Sequence, residues 1–231
     1  MKKLFIYFLI LITFSSIFVG CNKNTAEVNS ITMKRDLTVS LENSFKGPIK
    51  NNKVLEINSI TDSMFSSDLN FIFGKADEVV RGTVKNIEYT NYSGLAWTKA
   101  DILITETYKG VLKEDDLVSI FIYGGYIKLK DHIKYFKDDF RFESLTDTEI
   151  KNSILKENDN GKPLLEVGDD LFFPLVKPAA HMPFPEGSYE NLSVAGILYI
   201  DKNGKFIQEY YDEGKKSTNV FSVDEVKNKV K

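Results

Sequence analysis

Three kinds of side chain in this sequence could do chemistry: one thiol, two imidazoles and several paired carboxylates. Cys21 is the only cysteine, and His132 and His181 are the only histidines. A thiolate can attack a carbonyl, bind a soft metal or accept an acyl group, and its surroundings decide which. HExxH and clustered His/Cys spacings are absent from the sequence, which argues against a zinc site built on these residues. His181-Met182 has the softness for a transition metal but sits in a proline-rich stretch and reads as a loop histidine. Asp138-Asp139 and Asp169-Asp170 could hold calcium, yet neither follows the EF-hand pattern, and acids paired at a strand entrance ordinarily form a solvated turn. GxSxG and glycine-rich phosphate loops are missing too, and Gly124-Gly125 reads as a sharp bend or bulge. The expectation is therefore no catalytic residue, no metal and no cofactor. The aromatics are the candidate binding residues. Tyr92 and Trp97 flank a first hairpin, Tyr123 and Tyr126 flank Gly124-Gly125, and Phe184 and Tyr189 lie in a loop carrying three prolines. Such rings stack on sugars and peptide side chains; the plainer alternative is that they close the ends of a barrel.

Cys21 has a telling setting. Lys2 and Lys3 precede an apolar run from Leu4 to Phe14, and Val19-Gly20 stand directly before the cysteine. The run is shorter than the ~20 residues a membrane span needs. The arrangement resembles the signal peptide and lipobox of a bacterial lipoprotein, with Phe18 where that family usually has an aliphatic residue. The resemblance implies cleavage after residue 20, a diacylglycerol on the Cys21 sulfur, palmitate-type acyl chains, and a lipid-anchored protein on the extracytoplasmic face of the cell membrane. An uncleaved N-terminal anchor is the alternative, and it puts the folded part on the same side.

With Cys21 acylated, the mature chain has no cysteine for a disulfide, so stability must come from an apolar core. At 42% hydrophobic residues the composition supplies one. Loss of residues 1–20 removes two lysines and no acid, taking the net charge from −3 to −5. That balance argues against a nucleic-acid partner or an anionic-lipid surface.

Around these residues the chain alternates with period two. Residues 21–53 are polar and read as the lipidated cysteine and a tether, with one short strand at Leu37–Leu41. A short helix over 67–74 follows, capped by Ser66 or Ser67, with Leu69, Ile72 and Phe73 on one face and Gly74 at its left-handed end. Strands are predicted near 78–90, 97–108, 117–123, 171–176, 191–200 and 205–211, with Pro174 favouring an edge or a bulge. Residues 127–162 read as an exposed, partly helical insertion opened by the capping box Thr146–Glu149, and Ser222–Glu225 opens a short C-terminal helix. The fold class is mainly β: one domain, 54–231, built as a small OB-like antiparallel β-barrel with a short preceding helix.

One block of the sequence carries a further resemblance: Ala76 to Val84, Ala100 to Gly110, Leu117 to Tyr123, and Glu166 to Leu175. It is similar to the netrin-like domain of tissue inhibitors of metalloproteases, and to uncharacterised lipoproteins of low-GC Gram-positive bacteria. The resemblance implies the barrel. It does not imply protease inhibition, because those inhibitors use a free N-terminal cysteine positioned by disulfides, whereas Cys21 here bears lipid and lacks partner cysteines. The expected function is a non-enzymatic binding module for an envelope protein, peptide or glycan. The alternatives are an envelope hydrolase using carboxylates such as Glu166 or Asp169, and a structural or immunity-type lipoprotein without a small ligand.

Overall fold

The computed structural model describes residues 45–48, 52–59, 67–159, 164–212 and 215–230, and these are mainly β. Cys21, the leader expected over residues 1–20 and the strand expected at Leu37–Leu41 lie outside the described residues. In chain order the elements are β1 (Lys53–Ser59), α1 (Leu69–Lys75), β2 (Glu78–Tyr92), β3 (Leu95–Lys109), β4 (Leu117–Tyr123), β5 (Gly125–Lys128), α2 (Leu129–Tyr135), α3 (Asp147–Asn152), β6 (Ser153–Asp159), β7 (Asp170–Val176), β8 (Tyr189–Asn191), β9 (Leu198–Ile200), β10 (Phe206–Asp212), β11 (Lys215–Phe221) and α4 (Val223–Val230).

The larger sheet has the order β11-β10-β9-β7-β2-β3-β4-β8, and β8 also pairs with β7. Thus β2, β3, β4, β8 and β7 each have two of the others as neighbours. All these pairs are antiparallel except β4–β8. Three register shifts along β2–β3 give the long hairpin the extra twist that bulges supply. Its tip is Ser93-Gly94, both at positive φ, the two-residue turn whose twist matches the strands.

Period two sorts the side chains. Val80, Val84, Ala100, Ile102, Ile104, Ile120 and Ile122 point inward with Leu171, Phe173 and Leu175 of β7. β7 is buried on both faces, which is why it reads as a continuous apolar run. On its other side Phe172 packs against Phe73 of α1, Tyr108 and Phe206 at 4.8–5.5 Å between rings. Val226 of α4 closes this second core. Gln208, fully buried there, donates to the Ser67 and Ala195 carbonyls and accepts from Asn219, so its amide is satisfied.

Several expectations need correction. The cap of α1 is Asp68, which accepts from Asn70 N–H, and Gly74 lies inside the helix; the chain leaves through an extended Ala76 because it runs straight into β2. Lys109 Nζ instead donates to the Phe73 and Gly74 carbonyls at the helix end. Pro174 is internal, not at an edge. It falls where the neighbour of β7 changes from β9 to β8, and its carbonyl accepts from Leu192 N–H at that junction. The single strand expected over 191–200 is split into β8, a 3-10 turn at Val194–Gly196, and β9, because the chain must cross from one partner to another. Gly196 sits in that crossing, where a Cβ would lie 2.6 Å from the Pro174 ring.

The insertion is partly helical, as expected, but it also forms a second sheet of order β1-β6-β5. Its own core joins Ile127, Leu129, Phe142 and Leu155 to Ala96 of the hairpin. Phe45, in the stretch read as tether, bridges Tyr89 by two backbone hydrogen bonds. Both capping boxes form.

The turn after β3 is fixed by Glu78, 3% exposed, whose carboxylate accepts from Val111 and Leu112 N–H. Gly110, at φ +106, lies so close that a Cβ would collide with that carboxylate. Gly110→Ala is expected to lower stability by about 2 kcal/mol or more through backbone strain and loss of these bonds, read as a drop in Tm.

Candidate functional site

On β3 the inward residues Ala96, Thr98 and Ala100 alternate with Trp97, Lys99 and Asp101, which point to the outer face. On β4, Phe121 and Tyr123 share that outer face. Trp97 lies opposite Tyr123 in one ladder and opposite Thr90 in the other. The proline loop after β7 lays Phe184 over them. Its ring stacks on Phe121 at 4.1 Å and 7°, and meets Trp97 edge-on at 5.1 Å. Trp97 meets Tyr123 edge-on at 5.8 Å. Among the described residues, two polar atoms in this packing have no hydrogen-bond partner: the Trp97 indole N–H and the Thr90 hydroxyl, in residues 8% and 4% exposed. A buried indole N–H is normally paired, so these atoms leave an unfilled donor and a hydroxyl beneath a loop.

The structure therefore brings Trp97, Tyr123 and Phe184 together. Tyr126 is elsewhere, edge-on to Tyr89 at 4.9 Å. Tyr92 is half-buried beside the hairpin tip, and Tyr189 packs against the inner core.

A second constellation lies in the insertion, beneath residues 135–141. His132 is 2% exposed. Its Nδ1 lies 2.8 Å from the Gly94 carbonyl and 3.4 Å from Glu157 Oε1, and its Nε2 lies 3.4 Å from Asp139 Oδ2. With a proton on each ring nitrogen, every one of these contacts is favourable. Burial alone would lower the His132 pKa, but the hydrogen bonds to Glu157 and the Gly94 carbonyl, with Asp139 beyond, hold it above the ordinary value. Arg141 Nε donates to Asp139 Oδ1 at 2.8 Å, and chiefly this bond holds the Asp139 carboxyl down at about 2. Ala96 N–H donates to Glu157 at 2.6 Å. The hairpin tip, α2, β6 and the 3-10 turn at Phe140–Phe142 are thereby joined through one imidazole.

Above it runs an open groove of about 600 Å3 lined by residues 135–141. Tyr135, Phe136 and Phe140 are 53%, 39% and 78% exposed there. Sequence reasoning noted only the charges of this stretch. The signal for a buried histidine was present, since Leu129, His132 and Ile133 fall on one helical face at spacings of three and four. The acids at the head of β7 are tied up structurally. Asp170 takes two hydrogen bonds from Arg81, and Asp169 accepts the Glu166 backbone N–H.

No protein-family model matches the chain, and a search of curated proteins returns no match.

Two outcomes follow. Trp97→Ala is expected to cost about 3 kcal/mol, the loss for a large buried aromatic, measured by thermal or urea unfolding. For His132, a raised folded pKa contributes stability fully present below its ordinary value of about 6.5 and lost as pH rises through the folded value. The Tm deficit of His132→Gln should therefore be largest near pH 5–6 and shrink above it. Asp139 adds the opposite limb, with stability lost as pH falls from about 4 toward 2.

Proposed function

We propose that this protein is an extracytoplasmic lipoprotein, held to the cell membrane through lipid on Cys21, whose β domain is a non-enzymatic binding module. The circuit β2-β3-β4-β8-β7 supports an OB-like barrel: five strands, antiparallel apart from one pair, with the insertion between β4 and β7, the third and fourth of them in chain order. Barrels of this kind bind along the face of their second and third strands, between the loops that follow the first and fourth. In this chain those strands are β3 and β4, and the loops are Ser93-Gly94 and the proline loop.

The observation that carries the reading is the outer-face site: Trp97, Phe121, Tyr123 and Phe184 beside an unpaired indole N–H and hydroxyl. Aromatic faces stack on sugar rings or on proline and aliphatic side chains, and the two polar atoms suit a ligand that brings hydroxyl or carbonyl oxygens. An envelope glycan, a peptide or a protein segment meets that description. Entry requires the Phe184 ring to move off Phe121. The acidic net charge makes a nucleic acid a poor fit.

Trp97 is the chain's only tryptophan, so its emission reports this site. Addition of soluble wall-glycan fragments or peptides to the detergent-solubilised full chain is expected to change that emission, with Phe184→Ala altering the midpoint. Unchanged emission across both probe classes, from protein shown to be folded, would remove the binding module. The anchor has its own readout: fatty-acid label should enter the wild-type chain and be lost in Cys21→Ser, and label persisting in the variant would sink that part.

A further inference from the structure

Residues 135–141 make a second exposed surface, away from the aromatic site just proposed in the sense that it uses none of its side chains. Tyr135, Phe136 and Phe140 are large apolar residues turned to solvent, 53%, 39% and 78% exposed, within one seven-residue stretch. Single exposed aromatics are ordinary, but three around one groove mark a contact surface. The stretch is held firmly from below. Phe136 stacks on His132 at 4.7 Å, and a Cβ on Gly94 of the hairpin tip would lie 2.8 Å from Tyr135 Cβ. Exposed Lys134 and Lys137 flank the rings, and Lys134 Nζ lies over the Tyr135 ring at 5.6 Å. Of the two acids in the stretch, Asp139 is neutralised by Arg141 and His132, and Asp138 remains exposed. The chain as a whole is acidic, so its net charge speaks against an anionic-lipid surface in general, but the charge beside these rings is cationic.

Where the chain enters the domain selects the occupant. Phe45 bridges Tyr89, and Tyr89 stands five residues before Gly94 on β2, or about 17 Å at strand rise. Gly94 touches Tyr135 and Phe136. The segment arriving from Cys21 therefore joins the domain on the strand that leads to Gly94, the glycine packed beneath the aromatic loop. Its 23 residues between Cys21 and Phe45 reach at most about 80 Å. A domain held that close meets its own bilayer at a high effective concentration, so a contact of small intrinsic affinity suffices.

We propose that residues 135–141 are a membrane-contact surface. Tyr135, Phe136 and Phe140 enter the headgroup zone of the bilayer that carries the Cys21 lipid, where aromatic rings favour residence, and Lys134 and Lys137 pair with lipid phosphates. The inference rests on the lipoprotein reading for the source of the bilayer. It fixes which end of the domain faces the membrane.

The test is Phe140→Trp in the full chain, purified from membranes and reconstituted into phosphatidylglycerol vesicles with acyl chains brominated near the headgroup. Phe140 is 78% exposed, so the substitution leaves packing alone, and wild-type emission from buried Trp97 is the baseline. The added indole is expected to lose roughly half or more of its emission to the bromines, as an interfacial ring does. The further change Lys134→Glu/Lys137→Glu should restore much of it, and phosphatidylcholine vesicles should give a smaller loss. An added indole as bright with brominated as with plain lipid overturns the proposal and leaves the patch to a protein or glycan. Fatty-acid label on the same preparation reads the anchor separately: label without quenching sinks the membrane contact alone, and quenching without label sinks the lipoprotein reading while the contact stands.

Discussion

β7 is the strand on which both cores of the larger sheet depend. Its six-residue apolar run turns Leu171, Phe173 and Leu175 to the inside of the β2–β3–β4 curve and Phe172 to the layer under α1 and α4. A strand buried on both sides exposes no face to water, so its place is set by packing on two fronts. Everything at its borders adjusts to it. Arg81 and Asp170 pair at its head, Pro174 occupies the junction where its neighbours change, and the chain breaks at Val194–Gly196 to pass from one of those neighbours to the other.

The two candidate surfaces are built in opposite ways. The outer face of β3 and β4 is closed by packing: Phe184 lies flat on Phe121, and the cost is two polar atoms without partners among the described residues. The insertion is closed by charge. Glu157, His132, Asp139 and Arg141 alternate in sign, and no member of the chain is left without a counterpart. The first surface can change by moving one ring. The second is pinned, and presents its aromatics on a base that holds most firmly when His132 is protonated.

Much of this was legible where period two is strict. β4 and β7 fall within a residue of where their alternation places them, and Leu69, Ile72 and Phe73 form the buried face of α1. The rest depends on contacts that no local pattern encodes. β1 is a strand because β6, far along the chain, offers it an edge. β6 and the end of β5 lie in the stretch 127–162, which reads in sequence as an exposed, partly helical insertion. Of the six aromatics singled out by their positions near turns, Trp97 meets Tyr123 and Phe184, whereas Tyr92, Tyr126 and Tyr189 lie apart from them, because a turn fixes where a ring starts and not what it meets. The His132 network needed four separate elements to converge, and its spacing in sequence carries none of that.

The pairing of β1 with β6 has a consequence in time. Lys53 finds Ser153, and every later pair keeps the same separation of 100 residues. At about 5–20 residues per second a ribosome needs on the order of 5–20 s to supply the partner. Throughout that interval the emerging chain carries β1 with no neighbour, while β2, β3 and β4 are already available to one another. The hairpin is thus the early structure, and β1, the first strand made, waits unpaired until β6 has followed β2–β5 out of the channel, so this protein completes itself from the hairpin outward in both directions along the sequence.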